Sequence, residues 1–426
     1  MRLLHTSDWH LGRTLYGKKR TAEFEAFLEW LLATLDEQKV DVLIVAGDVF
    51  DTTTPSTRAQ QLYYRFLCRA SRREKSEKAG CRHVVVVGGN HDSPSFLEAP
   101  KELLSFLDVH VVGAATERIE DELLTLRDAK GIPELLVCAV PYLREKDIRC
   151  FEWGEDTEDK NRKLALGIEE HYREIGRLAE ERRAEWANGE ASVSARNIPI
   201  VGTGHLFAMG GQTTEGDGVR DLYVGTLAQV NAESLLSCFD YLALGHLHSP
   251  QKVGRSETAR YSGSPLPMNT AEAERGKSVV LVEFDSGKFP EKPAVNVRKL
   301  SVPVFQELIR VAGDINAVES RLGELRCGGG AWVEVVYEGE TFVPNLRERV
   351  FAQVAGSNLE ILRVKDARIL RNTPGTWNEG ETLSELDESD VFLRCMDARS
   401  IPAENRLELW NAYREVLASL RDSGAE

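Results

Sequence analysis

Several features that assign a chain to a familiar class are missing from these 426 residues. No apolar run reaches the roughly 18 residues of a membrane-spanning helix, and the first residues lack the apolar core and cleavage site of a signal peptide. The seven cysteines are odd in number, scattered, and never spaced as CxxC. This argues against a disulfide framework and against a thiolate zinc site. We therefore expect a soluble, cytoplasmic protein that does not act on membranes.

Basic residues are also in deficit. The chain has 53 Lys and Arg residues against 68 Asp and Glu residues, a formal net charge of −15. Proteins that bind DNA phosphates usually carry a basic excess, so the net charge alone disfavours a nucleic-acid partner. The acidity is concentrated in 151–196 and 376–426, which carry −4 and −7, and the remainder of the chain carries only −4. The net charge therefore describes these two segments more than the rest of the chain.

Apolar runs and amphipathic stretches alternate along the first 115 residues. Three β-rich runs are each followed by a helical pattern: Arg2–Thr6 by 21–38, Val42–Ala46 by 57–73, and His83–Val87 by 95–107. This rhythm is typical of an α/β layered domain. Each run ends in a polar cluster, and the carboxyl ends of parallel strands meet in one crevice.

The rest of the chain continues the α/β pattern. Further strands are predicted at 135–140, 198–202, 241–244 and 278–284, with a long surface helix at 157–188. A stretch rich in Gly, Pro and charge after Phe284 predicts a domain boundary. A small α/β domain is expected beyond it, followed by helical segments at 382–397 and 402–421.

Five short segments each end an apolar run with residues that bind metals. They are Asp8-Trp9-His10, Gly47-Asp48-Val49-Phe50-Asp51, Gly89-Asn90-His91-Asp92, Gly204-His205 and Gly245-His246-Leu247-His248. Side chains alternate along a strand, so the two ligands of D-x-H or H-x-H are expected to project to one side. Carboxylate, imidazole and amide donors without thiolate suit a fairly hard divalent ion such as Mn²⁺, with Fe²⁺ or Zn²⁺ as alternatives.

The distribution of histidine supports this interpretation. A single histidine at a strand end is more often a surface residue or a satisfied core residue. Five of the nine histidines lie in these segments, however, each beside Gly or Asp at a predicted strand end. Chance clustering is therefore the weaker explanation. The other four, His5, His83, His110 and His171, lie within strand or helix patterns, and we interpret them as structural.

The ordered set D-x-H, G-D-x-x-D, G-N-H-D, G-H and G-H-x-H resembles the calcineurin-like metallophosphoesterase superfamily. More narrowly, the chain is similar to the family of SbcD nuclease subunits of bacterial SbcCD complexes. The segments that carry this similarity are HTSDWHLG at 5–12, AGDVFD at 46–51, GGNHDS at 88–93, VRDLYVGT at 219–226, LALGHLHSPQ at 242–251, RYSGSP at 260–265 and ETLSELDESDVF at 381–392. Only the insertion near 150–196 matches loosely.

The resemblance implies an α/β fold: a layered sandwich of two mixed sheets flanked by helices, with a small α/β capping domain and a helical tail. The nuclease domain would span 1–285, with a helical insertion at 150–196. A DNA-capping domain would span 290–372. C-terminal helices at 380–426 would bind an SbcC-like ATPase, and a homodimer is also implied.

The resemblance further implies a site for two divalent ions, with Mn²⁺ as the favoured metal. One ion would lie among Asp8, His10, Asp48 and His248, and the other among Asp48, Asn90, His205 and His246. Two such ions can clamp a phosphodiester oxygen, lower the pKa of a bridging water and neutralise charge on phosphorus.

Two further residues have implied catalytic roles. His91 would stabilise the transition state or protonate the leaving oxygen. Asp51 would orient His91 by accepting a hydrogen bond from its other ring nitrogen. Arg13, Lys18, Lys19 and Arg20 follow the first motif and could contact a DNA backbone, although an ordinary solvated loop is the competing interpretation.

The implied function is a Mn²⁺-dependent nuclease, with 3′→5′ exonuclease activity on duplex ends and endonuclease activity on single strands and hairpins. One alternative is a phosphatase or cyclic-nucleotide phosphodiesterase that uses the same ions on a substrate other than DNA. Another is a scaffold with a vestigial metal site that organises the ATPase.

Overall fold

The computed structural model describes residues 1–71, 81–148, 157–189, 197–209, 230–231, 235–285, 293–326, 328–341 and 343–367, and residues 392, 396, 406, 409, 410 and 413. The segment 219–226 and most of the predicted tail therefore lie outside the described residues. The chain divides into two compact units, Met1–Ile309 and Arg310–Glu426.

Within the described ranges, no helix is long and apolar enough to cross a bilayer. The four cysteines described, Cys68, Cys81, Cys138 and Cys238, are free thiols.

The first unit contains two six-stranded sheets and a set of helices. Its strands are β1 (Arg2–Thr6), β2 (Thr14–Leu15), β3 (Lys18–Lys19), β4 (Val42–Ala46), β5 (His83–Val87), β6 (Val109–Val112), β7 (Leu123–Arg127), β8 (Pro133–Cys138), β9 (Ile200–His205), β10 (Ala208–Met209), β11 (Val230–Asn231), β12 (Tyr241–Gly245), β13 (Gln251–Lys252), β14 (Ala259–Tyr261), β15 (Ser278–Asp285) and β16 (Ala294–Ser301). Its helices are α1 (Thr21–Glu37), α2 (Thr57–Ala70), α3 (Pro94–Glu98), α4 (Lys101–Ser105), α5 (Glu145–Ile148), α6 (Thr157–Gly189) and α7 (Thr270–Ala273).

Both six-stranded sheets are mixed. The first sheet has the order β16-β15-β1-β4-β5-β6, with β1, β4, β5 and β6 parallel and β15 antiparallel to β1. The second has the order β13-β14-β12-β9-β8-β7, in which the four central strands are parallel and both edge strands antiparallel. The predicted α/β fold with two mixed sheets is confirmed.

Alternate residues of the central strands face two different cores. In the first sheet, Leu3 packs between the two sheets, whereas Leu4 packs against α1 and α2. In the second sheet, Val201 packs between the sheets and Ile200 against α6. Both faces of each sheet are therefore buried, which explains why these strands are continuous apolar runs in the sequence.

One helix prediction is wrong. The apolar pattern at 95–107 predicts a single helix, but the structure has α3 and α4 separated at Pro100. Proline has no backbone N–H to donate and its ring clashes with the preceding turn, so it ends the first helix. The remaining helix and strand predictions in the described ranges agree with the structure to within a few residues.

The second unit is a small α/β structure. Its sheet has the order β17 (Glu307–Gly313), β18 (Ala331–Tyr337), β19 (Glu360–Asp366), and β18 and β19 are parallel. Its helices are α8 (Ile315–Leu325) and α9 (Leu346–Val354), and α8 is capped by the side chain of Asp314. Further along, the rings of Phe392 and Tyr413, one from each helical segment predicted for the tail, stack with centroids 3.9 Å apart.

Candidate metal centre

The polar motifs follow strands that are neighbours in their sheets. In the first sheet, Asp8 and His10 follow β1, Asp48 follows β4, and Asn90 follows β5. In the second sheet, His205 is the last residue of β9, and His246 and His248 follow β12. Both sheets therefore contribute loops to one crevice at the carboxyl ends of their parallel strands, as the sequence predicts.

The loops of the first sheet run side by side. The N–H of Asp8 donates to the carbonyl of Gly47 over 3.0 Å, and the N–H of His10 donates to the carbonyl of Asp48 over 3.0 Å. Gly47 has a φ of +87°, and a β-carbon there would lie 2.2 Å from Nδ1 of His205. Glycine at position 47 therefore allows the two sheets to approach at the site.

The backbone of the site differs from what strand alternation predicts. β1 ends at Thr6 and β12 at Gly245, so Asp8, His10 and His246 lie in loops, and all three have positive φ angles of 52°, 47° and 103°. We expected the alternation of side chains along a strand to point the two ligands of each pair to one side. That explanation is wrong, because these residues lie outside the strands. Left-handed backbone in the loops, which is uncommon for non-glycine residues and concentrated at functional sites, directs these side chains.

One group of donor atoms brings together Asp8, His10 and His248, with one ligand atom from each within 4.8 Å of the others. Nε2 of His10 lies 3.2 Å from Nε2 of His248 and 3.6 Å from Oδ2 of Asp48. All four side chains are buried. This group contains three of the four residues predicted for the first ion, and the fourth, Asp48, contacts it through His10.

A second group brings together Asp8, Asp48 and His205, again within 4.8 Å. Nε2 of His205 lies 3.3 Å from Oδ2 of Asp48 and 3.0 Å from Oδ1 of Asn90. Nδ1 of His246 lies 3.1 Å from the same Asn90 oxygen. The residues predicted for the second ion are therefore also adjacent, and Asp48 contacts both groups.

The donor set fits divalent ions. Ligands about 2.1 Å from one ion are at most about 4.2 Å apart, and the nearest donor pairs here lie within that limit. The facing Nε2 atoms of His10 and His248 can share only one hydrogen, so one of these two nitrogens keeps a lone pair with no hydrogen to accept from the other. A cation between the two nitrogens would satisfy an atom that the chain alone leaves unsatisfied.

The electrostatics of the site follow from burial and close charges. Burial raises the pKa of Asp8 to about 6 and lowers the pKa of His246 to about 3. Burial would also raise the pKa of Asp48, but the charge and hydrogen bond of His205 hold it well below its usual value. Burial disfavours charge on His205, yet Asp48 raises the pKa of its imidazole to about 9. A bound cation would replace the proton that these two residues share.

His91 lies beside both groups. Its N–H donates to Oδ1 of Asp48 over 2.9 Å, and its ring lies 5.0 Å from the ring of His10. Its Nδ1 lies 3.0 Å from the main-chain carbonyl oxygen of Asp51. A carbonyl only accepts, so Nδ1 carries the hydrogen and Nε2 is left for other chemistry.

The carboxylate of Asp51 does not make the predicted contact with His91. Its Oδ1 accepts a hydrogen bond from Nη1 of Arg13 over 3.0 Å and lies 3.4 Å from Nδ1 of His10. The latter pair lacks the alignment of a hydrogen bond, since Nδ1 of His10 has no hydrogen-bond partner among the described residues. Asp51 therefore positions His91 through its main chain, which no pattern of side chains in the sequence could indicate.

Asp92, the last residue of the G-N-H-D motif, holds two loops together. Its carboxylate accepts from the main-chain N–H groups of Val49, Phe50 and Gly89 over 2.9–3.1 Å. Burial, followed by the nearby charge of Asp48, raises its pKa to about 6. The neighbouring Ser93 caps α3, because its side chain accepts from the N–H of Phe96.

Sequence reasoning missed Glu272 and Lys277. Oε1 of Glu272 lies 3.4 Å from Nδ1 of His248, and Oε2 lies 2.6 Å from Nζ of Lys277. Burial would raise the pKa of Glu272, but the contacts with His248 and Lys277 lower it to about 2. Asn269 and Glu272 hydrogen-bond each other at the start of α7. The sequence around Glu272 therefore indicates a helix cap and not a metal site.

The basic residues after the first motif divide into two kinds. Arg20 is buried, forms a two-pronged ion pair with Glu23 and donates to the carbonyl of Pro267, so the expectation that it contacts a DNA backbone is wrong. Lys18 and Lys19 lie on the β2–β3 hairpin, where Lys19 is exposed. These two remain candidates for phosphate contacts.

Comparisons with known proteins agree with this geometry. The profile of the calcineurin-like phosphoesterase family matches residues 1–250, and that of the type 5 capsule protein repressor C-terminal domain matches residues 304–400. The SbcD subunit of the nuclease SbcCD of Escherichia coli (strain K12) is 34% identical over 423 residues, which cover 99% of this chain and 98% of that protein. The SbcD subunit of Bacillus subtilis (strain 168) is 36% identical over 291 residues, 68% of this chain and 67% of that protein. Its counterpart from Rhodobacter capsulatus is 35% identical over 297 residues, 68% of each chain.

Proposed function

Because the chain belongs to the SbcD family of nuclease subunits within the calcineurin-like phosphoesterases, we propose that it is a Mn²⁺-dependent DNA nuclease. It cleaves duplex ends as a 3′→5′ exonuclease and single strands and hairpins as an endonuclease, in the processing of double-strand breaks and hairpins. The observation that carries the proposal is the convergence of carboxylate, amide and imidazole donors from two sheets, with Asp48 in contact with both groups.

The ligands divide between two ions. Asp8, His10, Asp48 and His248 would hold one ion, and Asp48, Asn90, His205 and His246 the other. When bound, two such ions supply positive charge to the phosphodiester oxygens and lower the pKa of the attacking water. Mn²⁺ is favoured because the donor set mixes oxygen with imidazole nitrogen and contains no thiolate.

The chain itself supplies a proton donor and its orientation. The Asp51 carbonyl holds the hydrogen of His91 on Nδ1, so Nε2 is the ring atom left to carry a second proton. A protonated His91 stabilises charge on the phosphoryl oxygens and gives its proton to the leaving oxygen. The hydrogen bond from the main-chain N–H of His91 to the carboxylate of Asp48 keeps this imidazole beside the proposed metal ligands.

A direct test compares substrates with Mn²⁺ present. Labelled duplex and hairpin DNA should be cleaved, whereas a small phosphomonoester should not be hydrolysed at a comparable rate. Hydrolysis of the monoester alone would support a phosphatase and overturn the nuclease proposal. Absence of both activities in a chain that binds two ions would favour the scaffold.

We also propose that the tail binds an SbcC-like ATPase. The contact of Phe392 with Trp410 and Tyr413 supports a helical pair in the tail, and Leu409 on it is 41% exposed. An apolar helical face of this kind fits a groove on a partner. The small α/β domain, predicted at 290–372, would serve as the DNA-capping domain, with its start moved to about Arg310 because β16 pairs with β15 in the first sheet.

A homodimer completes the proposal. Phe106 is 86% exposed and Leu103 is 69% exposed; Leu103 lies in α4 and Phe106 directly follows it. Exposed large apolar side chains on neighbouring positions are typical of an interaction site. Light scattering should give a dimer for the natural chain and a monomer for a Leu103→Asp, Phe106→Asp double variant. A dimer of unchanged strength in that variant would exclude this face.

A further inference from the structure

We propose that Glu272, held in place by Lys277, is a positioning residue for the metal ligand His248. It fixes the hydrogen of the imidazole on Nδ1, so that the Nε2 lone pair faces the ion. The inference rests on the proposed two-ion site, and it assigns a role to a buried ion pair that the five sequence motifs do not contain.

The first step is the ionisation of Glu272. Its side chain is buried, and its Oε2 accepts from Nζ of Lys277 over 2.6 Å and from the N–H of Met268 over 3.1 Å. Its Oε1 accepts from Nδ2 of Asn269 over 3.1 Å. An ionised carboxylate beside an ammonium group has no hydrogen to donate, so Oε1 can only accept from His248.

The second step concerns the imidazole. Because Oε1 only accepts, Nδ1 of His248 must be the donor across the 3.4 Å contact, and Nε2 then carries the lone pair. That nitrogen lies 3.2 Å from Nε2 of His10, inside the first donor group. His205 repeats the arrangement, because its Nδ1 donates to the Ala46 carbonyl while its Nε2 faces Asp48.

The third step is the rigidity of the pair. Nζ of Lys277 also donates to the main-chain carbonyl of His248 over 3.0 Å and to Oγ of Ser264 over 2.9 Å. The same cluster therefore holds both the backbone and the ring of His248. Carboxylates that bind the far nitrogen of a ligating histidine typically change metal affinity about 10–100-fold when they are removed.

Glu272→Gln tests the role without changing the size of the side chain. Its single acceptor oxygen will face Lys277 and Met268, so its NH₂ group will face Nδ1 of His248 and favour a hydrogen on Nε2. We expect the affinity for one of the two Mn²⁺ ions to fall about 10–100-fold by calorimetry. Frozen-solution electron paramagnetic resonance should then show an isolated Mn²⁺ signal in place of that of a coupled pair.

Two controls separate positioning from stability. Glu274→Gln lies on the exposed surface next to the same helix and should leave both ions bound as in the natural chain. His248→Asn removes the ligand, and adding Glu272→Gln to it should cause no further loss of metal affinity if Glu272 acts through His248. An additional loss in the double variant, or two ions bound by Glu272→Gln at natural affinity, would overturn the inference.

A measurement on the natural chain needs no variant that could unfold. Nitrogen-15 spectra of the histidine rings of the metal-free protein at alkaline pH should show the hydrogen of His248 on Nδ1, with the signal identified by its loss in His248→Asn. A hydrogen on Nε2 would overturn the inference. Failure of the natural chain to bind two ions would instead contradict the proposed function, so the two failures are distinguishable.

Discussion

The two sheets of the first unit contribute different chemistry to the same site. Loops of the first sheet supply three residues proposed as oxygen ligands, Asp8, Asp48 and Asn90, and one imidazole, His10. The second sheet supplies only imidazoles, from His205, His246 and His248. Neither set alone has the mixture of negative charge and nitrogen donors that two divalent ions require, so the site forms only where the sheets pack together.

The two sides are also held differently. The loops of the first sheet are bound to one another through main-chain groups and through the carboxylate of Asp92. On the second sheet, His205 is held by a carbonyl of the first sheet, and His248 by Glu272. The first side is therefore a self-supporting framework, whereas the ligands of the second side depend on their neighbours for orientation.

The largest effect is expected from the residue that joins the two sides. Asp48→Asn removes the carboxylate that belongs to the second donor group and contacts His10 of the first, so both ions should be lost. DNA cleavage should fall at least about a thousandfold, because several kcal/mol of transition-state stabilisation depends on the ions. Mn²⁺ stoichiometry and cleavage rates test this, with the exposed Asp285→Asn as the control. Retention of two ions per chain would contradict the shared role of Asp48.

The packing of the sheets can be disturbed without touching a ligand. A β-carbon at Gly245 would lie 1.9 Å from the carbonyl oxygen of Ala46 and 2.8 Å from Nδ1 of His205. Gly245→Ala should therefore force the sheets apart and lower the thermal midpoint of unfolding by several degrees. The affinity for both Mn²⁺ ions should fall at least about tenfold. Gly276→Ala, where a β-carbon meets nothing within 4 Å, is the matched control. Equal Mn²⁺ affinity in the two variants would show that the site tolerates separation of the sheets.

The chemistry can be separated from metal binding at His91. His91→Asn should keep both ions and slow cleavage by about 10²–10⁴-fold, the range for a lost general acid. Asp51→Asn should slow it much less, because the main-chain carbonyl that holds His91 is retained. Single-turnover rates at saturating Mn²⁺ measure both. Unchanged cleavage by His91→Asn would remove it from the mechanism.

The smallest effect on cleavage is expected outside both sheets. Deletion of residues 376–426 should leave Mn²⁺-dependent cleavage of single strands within about twofold, because it removes no ligand and no residue of either sheet. Association with an SbcC-like ATPase should be abolished. Co-purification of the shortened chain with that partner at the natural yield would contradict the assignment of the tail.

The sequence predicted most of the fold because the central strands are buried on both faces. Strands such as Val42–Ala46 and His83–Val87 are uninterrupted apolar runs, and their bounds match the prediction. The motifs also predicted which residues converge, since each motif follows a strand. The apolar residues at 95–107 recur at helical spacing, so the sequence predicts one helix there despite Pro100.

The finer structure of the site depends on backbone geometry, which the sequence does not encode locally. The positive φ angles of Asp8, His10, Asp48 and His246 arise from loops that are held by partners distant in the chain. The contact of His91 with a carbonyl has no side-chain signal at all. Glu272 has a local signal, but it is that of a helix cap, and its contact with His248 spans 24 positions.

Anomalous diffraction from crystals grown with Mn²⁺ locates the ions and shows their protein ligands. It therefore tests directly whether residues of both sheets build the site. Two peaks are expected, about 3.5–4 Å apart, with Asp48 in contact with both and with each ion bound by residues of both sheets. A single peak, or two ions whose protein ligands all come from one sheet, would contradict a metal centre built by the packing of the two sheets.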